Sequence, residues 1–323
     1  MLRAGVDLGG TKIQAVITDE HSKVWGTYRC FTPQEGGPAD VCDAMADAVK
    51  QAMADGALSY DDLIGLGIGA PGQIDLDAGT VSNAGNLPNW MVTYPLSREM
   101  TARLRVPTYL GNDVQVAVNA EVSLGAGRPY NSMLGVFCGT GVGGGVVINK
   151  ELWIGRGAAG EIGHICVQTK GGAPCTCGRT GCMEAYAGRA AMEIQAREWF
   201  AEGRPTELFD IMADKGRERL ASGVWYKASK HKDKMAKKLI KRAVWALGSG
   251  IGSAVNILDV EAVVIGGGLG LRLGQPFVDK IEKAMMPHLI KPAKPPAVLL
   301  AELGDLGGAL GAGLLVPTPA AAS

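Results

Sequence analysis

The sequence lacks an excess of either charge: 32 basic residues face 32 acidic ones, for a formal net charge of zero. A neutral chain offers nucleic acid or an anionic membrane surface no broad electrostatic handle. No apolar run approaches the roughly twenty residues needed to span a bilayer. The opening M-L-R-A-G-V-D-L-G-G also has no long apolar core of the signal-peptide kind. The seven cysteines are an odd number without framework spacing, and a thioredoxin-type C-x-x-C is absent. These absences exclude a disulfide scaffold and set the expectation of a cytoplasmic protein with reduced thiols, bound to neither membrane nor nucleic acid.

With 323 residues, 47% of them apolar and 20% charged, the chain is long enough for two domains with a sizeable core. Its 47 glycines are about twice the usual share and cluster in short motifs. Glycine at that density implies backbone turned tightly around ligands.

Residues 3–31 alternate extended runs with turn signals and predict a three-stranded antiparallel meander. A helix is expected over about 39–54, a buried strand after Asp62, a helix over 97–104 and a short strand over 106–112. A further helix, 113–124, starts at Asn112 and Asp113. The pattern then restarts: strand, G-T-G-V-G-G-G and strand again from Met133, which suggests two similar α/β halves. Later come a long helix over 233–258, a strand ending in a third glycine loop at 266–268, a strand at 297–300 and a small-residue helix from Gly307. The basic run 227–238 reads as a solvated helix face, and 318–323 as a frayed tail.

Strand-terminal glycine loops invite a nucleotide, but two familiar versions fail. G-V-D-L-G-G-T-K resembles a P-loop, yet threonine precedes lysine where Walker A requires the reverse. G-T-G-V-G-G fits G-x-G-x-x-G but runs into a strand where a dinucleotide fold requires a helix. Hairpins tipped with glycine still present successive backbone N–H groups to an anion. On this reading Gly9, Gly10 and Thr11 cradle phosphate from one side, and Gly139, Thr140, Gly141 and Gly143 from the other. Asp7 is placed to hold Mg²⁺ through water, and Lys12 to neutralise phosphate charge. The bland alternative is that these are only tight turns.

D-L-G-G-T-K from Asp7, G-N-D ending at Asp113, G-T-G-V-G-G-G from Gly139 and G-E-I-G-H ending at His164 occur in that order. C-x-C-G-x-x-G-C-x-E from Cys175 to Glu184 and G-G-G at 266–268 follow. Together they resemble the ROK family of sugar kinases over nearly the whole chain. The resemblance implies two similar α/β domains of the actin–hexokinase type flanking an ATP–sugar cleft. The expected domains are 1–112 plus about 305–323, and 113–304 with a zinc-binding loop. The implied activity is ATP-dependent phosphorylation of a hexose at the 6-hydroxyl, with glucose first. N-acetylglucosamine, N-acetylmannosamine, fructose and allose are the alternative substrates within the family, and a non-catalytic sugar sensor is the alternative of another class. Some members are repressors with an N-terminal helix-turn-helix; the opening of this chain at the hairpin favours the enzyme. Family members are usually homodimers or homotetramers.

The resemblance makes Asp113 the base that accepts the hydroxyl proton, although N-D at a helix start reads on its own as an N-cap. It places Asn112, Asp113, Glu161, His164 and Glu184 at the sugar, with Asn86 of G-N-L-P-N-W as a further contact. Gly267 and Gly268 join the nucleotide set. Cys175, Cys177 and Cys182 with His164 make three thiolates and an imidazole, a closed tetrahedral zinc set rather than a disulfide or redox centre. Its role is to fold the glycine-rich loop 171–181 and to orient His164. Cys30, Cys42, Cys138 and Cys166 are read as buried small hydrophobes.

Overall fold

The computed structural model describes residues 1–291 and 293–318. All but the first residue of the tail expected to fray, 318–323, lies outside the described residues. The chain divides into two compact units. The first is Met1–Glu121 with the segment from Asp305 onward, and the second is Val122–Gly304.

In the first unit, strands β1 (Leu2–Leu8), β2 (Lys12–Thr18) and β3 (Val24–Phe31) form the expected antiparallel meander. Helix α1 (Pro38–Asp55) leads to β4 (Leu63–Ala70), a two-stranded ribbon of β5 (Gln73–Asp75) and β6 (Thr80–Ser82), helix α2 (Leu96–Leu104) and β7 (Thr108–Asn112). The sheet runs β3-β2-β1-β4-β7, with β1, β4 and β7 parallel. Helix α3 (Asp113–Leu124) follows β7 without a connecting loop.

The second unit repeats this plan. Strands β8 (Met133–Cys138), β9 (Val142–Ile148) and β10 (Glu151–Trp153) form a second antiparallel meander. Helices α4 (Glu184–Ala187), α5 (Arg189–Ala201), α6 (Leu208–Ala213), α7 (Ser222–Lys230) and α8 (Lys234–Leu258) come next. They are followed by β11 (Ala262–Gly266), α9 (Gly267–Leu273), α10 (Gln275–Met285) and β12 (Ala297–Leu300). The sheet order β10-β9-β8-β11-β12 has the same directions as the first. The similar halves expected from the glycine hairpins are therefore present in the topology.

The last helix, α11 (Gly307–Gly313), belongs to the first unit and packs on β1 and β4. Its G-G-A-L-G-A-G sequence and two strand glycines permit that contact. A Cβ at Gly5 would lie 2.0 Å from the Ala309 carbonyl oxygen, and one at Gly67 1.7 Å from that of Ala312. Backbone meets backbone there, so any side chain would force helix and sheet apart.

Each unit has its own core. In the first, Ile13, Ile17, Met45, Leu66 and Ile68 belong to one buried cluster with the fully buried Trp90. In the second, Trp225, Leu247, Ile251, Val263 and Ile265 are buried together. Truncating either tryptophan to alanine is expected to cost about 3–5 kcal/mol.

Three local readings change. The basic run 227–238 is not one helix face: α7 ends at Lys230 and α8 begins at Lys234. Asp233 caps α8 by accepting the Ala236 N–H at 2.7 Å, which ends the continuity. Among the cysteines read as buried, Cys42 and Cys138 are, but Cys30 is only half-buried and Cys166 is exposed. Cys166 pairs backbone with Cys182 in an irregular loop, where no layer covers it. The third change is the β5–β6 ribbon, three residues per strand and too short to leave a pattern. No helix among the described residues is long and apolar enough to cross a membrane.

Candidate active site

In a parallel sheet the carboxyl ends of the strands form one edge, and ligands of α/β folds gather there. In the first unit that edge carries Asp7 at the end of β1 and Asn112 at the end of β7, with Asp113 opening α3. Asn112 is the helix cap: its side-chain oxygen accepts the N–H of Val114 at 3.1 Å and of Gln115 at 3.2 Å. The capping expected of the N-D pair thus falls on the asparagine. Asp113 uses Oδ1 to accept the Val114 N–H at 2.9 Å.

Removal from water first, then the neighbouring Asp113 charge, push the Asp7 carboxyl up to about 7 against the opposing pull of Lys12 and Arg29. The two carboxyl groups are thus close enough for the charge of one to act on the other.

The β1–β2 hairpin lies beside them. Its turn is closed by the Gly9 N–H donating to Lys12 O at 3.0 Å. Thr32 Oγ1 donates to Gly9 O at 2.6 Å and Gln34 Nε2 to Gly10 O at 3.1 Å, so the tip carbonyls are tied back. Lys12 faces Asp305 at 3.7 Å, and Arg29 meets the same carboxylate at 3.0 Å. Asn86 is brought against this hairpin: a Cβ on Gly10 would lie 2.6 Å from the Asn86 carbonyl oxygen. Its loop is anchored by Trp90, which donates from Nε1 to Val81 O at 3.3 Å and meets Tyr94 edge-on.

The second unit has the equivalent edge. The Gly139 N–H donates to Gly141 O at 2.9 Å across the β8–β9 turn, which holds Thr140 exposed at the tip. Gly143 is a strand residue opposite Phe137 rather than part of the turn. Gly267 has φ +76, and a Cβ there would lie 2.5 Å from Cys138 O, so the third glycine loop adjoins the second hairpin. Gly268, the second residue of α9, lies near Ser222.

Glu184 connects this hairpin to the cysteine loop. Its Oε2 accepts the Val142 N–H at 2.8 Å, and its Oε1 accepts the Thr176 hydroxyl at 3.1 Å. A Cβ on Gly141 would lie 2.2 Å from Glu184 Oε2, so only glycine admits the carboxylate at that position.

The ligand atoms of His164, Cys175, Cys177 and Cys182 all lie within 4.8 Å of one another. His164 Nδ1 is 3.7 Å from Cys175 Sγ, and Cys177 Sγ is 3.7 Å from Cys182 Sγ. A zinc tetrahedron with bonds of about 2.3 Å has edges of about 3.8 Å, so donors and spacing fit that metal. All seven cysteines are free thiols. The Arg179 guanidinium at 3.5 Å pulls the Cys177 thiol down to about 6, while burial pushes Cys182 up to about 12. With Nδ1 turned to sulfur, the other imidazole nitrogen, Nε2, faces the Glu161 carboxylate at 3.9 Å.

Every expected site residue is thus located: Asp7, Gly9, Gly10, Thr11, Lys12, Asn86, Asn112 and Asp113 in the first unit, the others in the second. Sequence reasoning missed Asp305, Arg179 and Arg189. Arg179 lies inside the cysteine motif and Asp305 opens G-D-L-G-G, so both were adjacent to legible signals. Arg189 had no such signal.

An antiparallel meander joined to two parallel strands, present twice in one chain, places the molecule in the actin–hexokinase class of α/β proteins. Within that class the chain belongs to the ROK family, whose sequence profile matches residues 3–318. A glucokinase of Halalkalibacterium halodurans is 34% identical over 316 residues, 97% of this chain and 94% of that protein. An N-acetylmannosamine kinase of Haemophilus influenzae is 32% identical, covering 85% of this chain and 83% of its own. The crystal structure of a ROK family glucokinase from Streptomyces griseus, in complex with glucose and AMPPNP, matches with a TM-score of 0.82 at 30% identity. That match covers 98% of this chain and 99% of the other.

Proposed function

We propose that this chain transfers the terminal phosphoryl group of ATP, with Mg²⁺, to the 6-hydroxyl of a hexose, and that the hexose is glucose. The observation that carries the reading is the carboxylate pair Asp7 and Asp113 at the carboxyl edge of the first sheet, in a chain alike to glucokinases over 97% of its length.

Phosphoryl transfer depends mainly on positioning and charge neutralisation. Asp113 accepts the proton of the attacking hydroxyl. Its Oδ1 is oriented by the Val114 N–H. Asn112 has committed its side-chain oxygen to the helix cap, which leaves its amide N–H₂ as the group for a sugar hydroxyl. Asn86, Glu161, His164 and Glu184 supply further sugar contacts, His164 through Nε2. Gly9, Gly10 and Thr11, and separately Gly139, Thr140, Gly141, Gly143, Gly267 and Gly268, offer backbone to phosphate, with Lys12 as a cation. Asp7 orders the water shell of Mg²⁺, which when bound supplies the positive charge that neutralises the phosphates. Zinc held by His164, Cys175, Cys177 and Cys182 has four protein ligands, so it supplies loop stability rather than Lewis acidity.

The N-acetylmannosamine kinase of Haemophilus influenzae at 32% identity supports a second reading, an N-acetylhexosamine as acceptor. Coupled ADP release over a panel of glucose, N-acetylmannosamine, N-acetylglucosamine, fructose and allose decides between them, with polyphosphate as a rival donor. Fastest turnover on glucose with ATP is expected. No ADP release with any sugar of the panel would instead leave a non-catalytic sensor. The exposed thiols of Cys166 and Cys177 suit a reducing cytoplasm. Assembly as a homodimer or homotetramer completes the proposal, with sedimentation as its measurement.

A further inference from the structure

Arg189 opens α5 and is the residue that joins that helix to the second glycine hairpin. Its backbone N–H donates to Gly139 O at 3.2 Å, and that of Ala190 to Thr140 O at 2.9 Å. The guanidinium donates to Thr140 Oγ1 at 3.0 Å and to Ser222 Oγ at 2.9 Å. Both acceptors are neutral hydroxyls, and no described carboxylate forms an ion pair with Arg189.

Glu193, the carboxylate whose charge acts on Arg189, is already engaged. It accepts Arg197 at 2.7 Å, Arg219 at 3.3 Å and the Leu220 N–H at 2.9 Å. Burial pulls the Arg189 guanidinium below the usual arginine range, and the charges of Arg219 and Arg217 act in the same direction, against the opposing pull of Glu193. A desolvated cation without a direct ion pair is unfavourable, and an arriving anion relieves it. Planar guanidinium donors match phosphate oxygens. The cation lies at Thr140, the exposed tip of the β8–β9 hairpin.

We propose that Arg189 binds the phosphate chain of the phosphoryl donor, held at the β8–β9 tip by Thr140 and Ser222. The assignment rests on the kinase reading and adds a side-chain cation to hairpins so far credited with backbone alone. It separates donor binding from sugar binding, because none of the sugar candidates touches Arg189.

The test is titration of Mg²⁺–AMPPNP into the full-length protein by calorimetry, with KM for ATP and for sugar measured in parallel. A lost charge-assisted contact to phosphate is expected to weaken nucleotide binding about 10- to 100-fold in Arg189→Gln, with sugar KM within about twofold. Arg189→Lys, which keeps the charge but not the fork, is expected to recover part of that loss. Ser222→Ala, which removes a tether and leaves the cation, is expected to stay within about threefold of wild type. Equal rises of both KM values, or Ser222→Ala matching Arg189→Gln, would reduce Arg189 to a structural tie and overturn the assignment. If Arg189→Gln does not fold, Arg189→Lys decides: affinity within about twofold of wild type overturns it, and a rise confined to the nucleotide supports it. A wild type that binds no AMPPNP overturns this inference and the kinase reading together. A wild type that binds, with Arg189→Gln unchanged, overturns this inference alone.

Discussion

The two glycine hairpins have the same place in two like sheets and opposite chemical surroundings. The β1–β2 tip stands over carboxylates: Asp7, raised to about 7 by burial, and Asp113. The β8–β9 tip adjoins Arg189, a cation hydrogen-bonded to two hydroxyls, as well as the Glu184 carboxylate. On the proposed reading, one backbone device serves beside a cation and proton site in the first unit and beside an anion-binding arginine in the second. Duplication of a fold therefore does not duplicate its chemistry, because two or three side chains at the strand ends decide the sign of the local field.

The sharpest way to break this contrast is at the carboxylate pair. Asp113→Asn is expected to lower kcat by at least about a thousandfold, the scale of a lost general base, while sugar affinity by calorimetry largely survives. Turnover near wild type would remove Asp113 from its role.

Metal removal is expected to come next. Chelation, or Cys175→Ser, releases the loop that delivers Glu184 to the second hairpin and frees His164. Sugar KM should rise about 10- to 100-fold and the melting temperature fall. Unchanged sugar affinity in protein shown to be free of zinc would contradict the coupling.

The pH dependence of stability separates the hairpins without catalysis. Asp7 has a folded pKa of about 7 against an ordinary 3.8, so it binds its proton more tightly folded than unfolded. Its contribution is fully present below about 4 and is lost as pH rises through 7. Asp7→Asn escapes that loss, and its unfolding free energy should gain on wild type between about pH 4 and 7, on the order of a few kcal/mol. A difference between the two proteins that does not change with pH would show that Asp7 is not held protonated.

The smallest effect concerns the link at Glu184. Thr176→Val removes one hydroxyl donor, 3.1 Å from Glu184 Oε1. Loss of a single exposed hydrogen bond is worth about 0.5–1.5 kcal/mol. Sugar KM should rise a few-fold and AMPPNP affinity stay unchanged.

Much of the fold was legible because its signals are local. Glycine turns between alternating runs marked both meanders, and D-V-Q-V after Asn112 marked α3. The cysteine cluster was legible as a ligand count, since three sulfurs and an imidazole leave few alternatives. The helices between Glu184 and Lys230 were harder: α4 and α6 are four and six residues long, less than two turns each. Cys166 was misread because burial is set by what covers a residue, and nothing in V-Q-T-K-G-G shows that this loop has no layer over it.

By itself the sequence determined the family, two like α/β halves, the glycine hairpins and the donors of a zinc site. Each of these depends on residue type and near spacing. Only the tertiary structure decided that Asn112 caps α3 while Asp113 faces Asp7, that Glu184 reaches Val142, and that Arg189 meets Thr140 and Ser222. Glu184 and Val142 are 42 positions apart, Arg189 and Thr140 49, and Asp7 and Asp113 over a hundred. No local pattern encodes such distances; strand order and helix docking bring those side chains together.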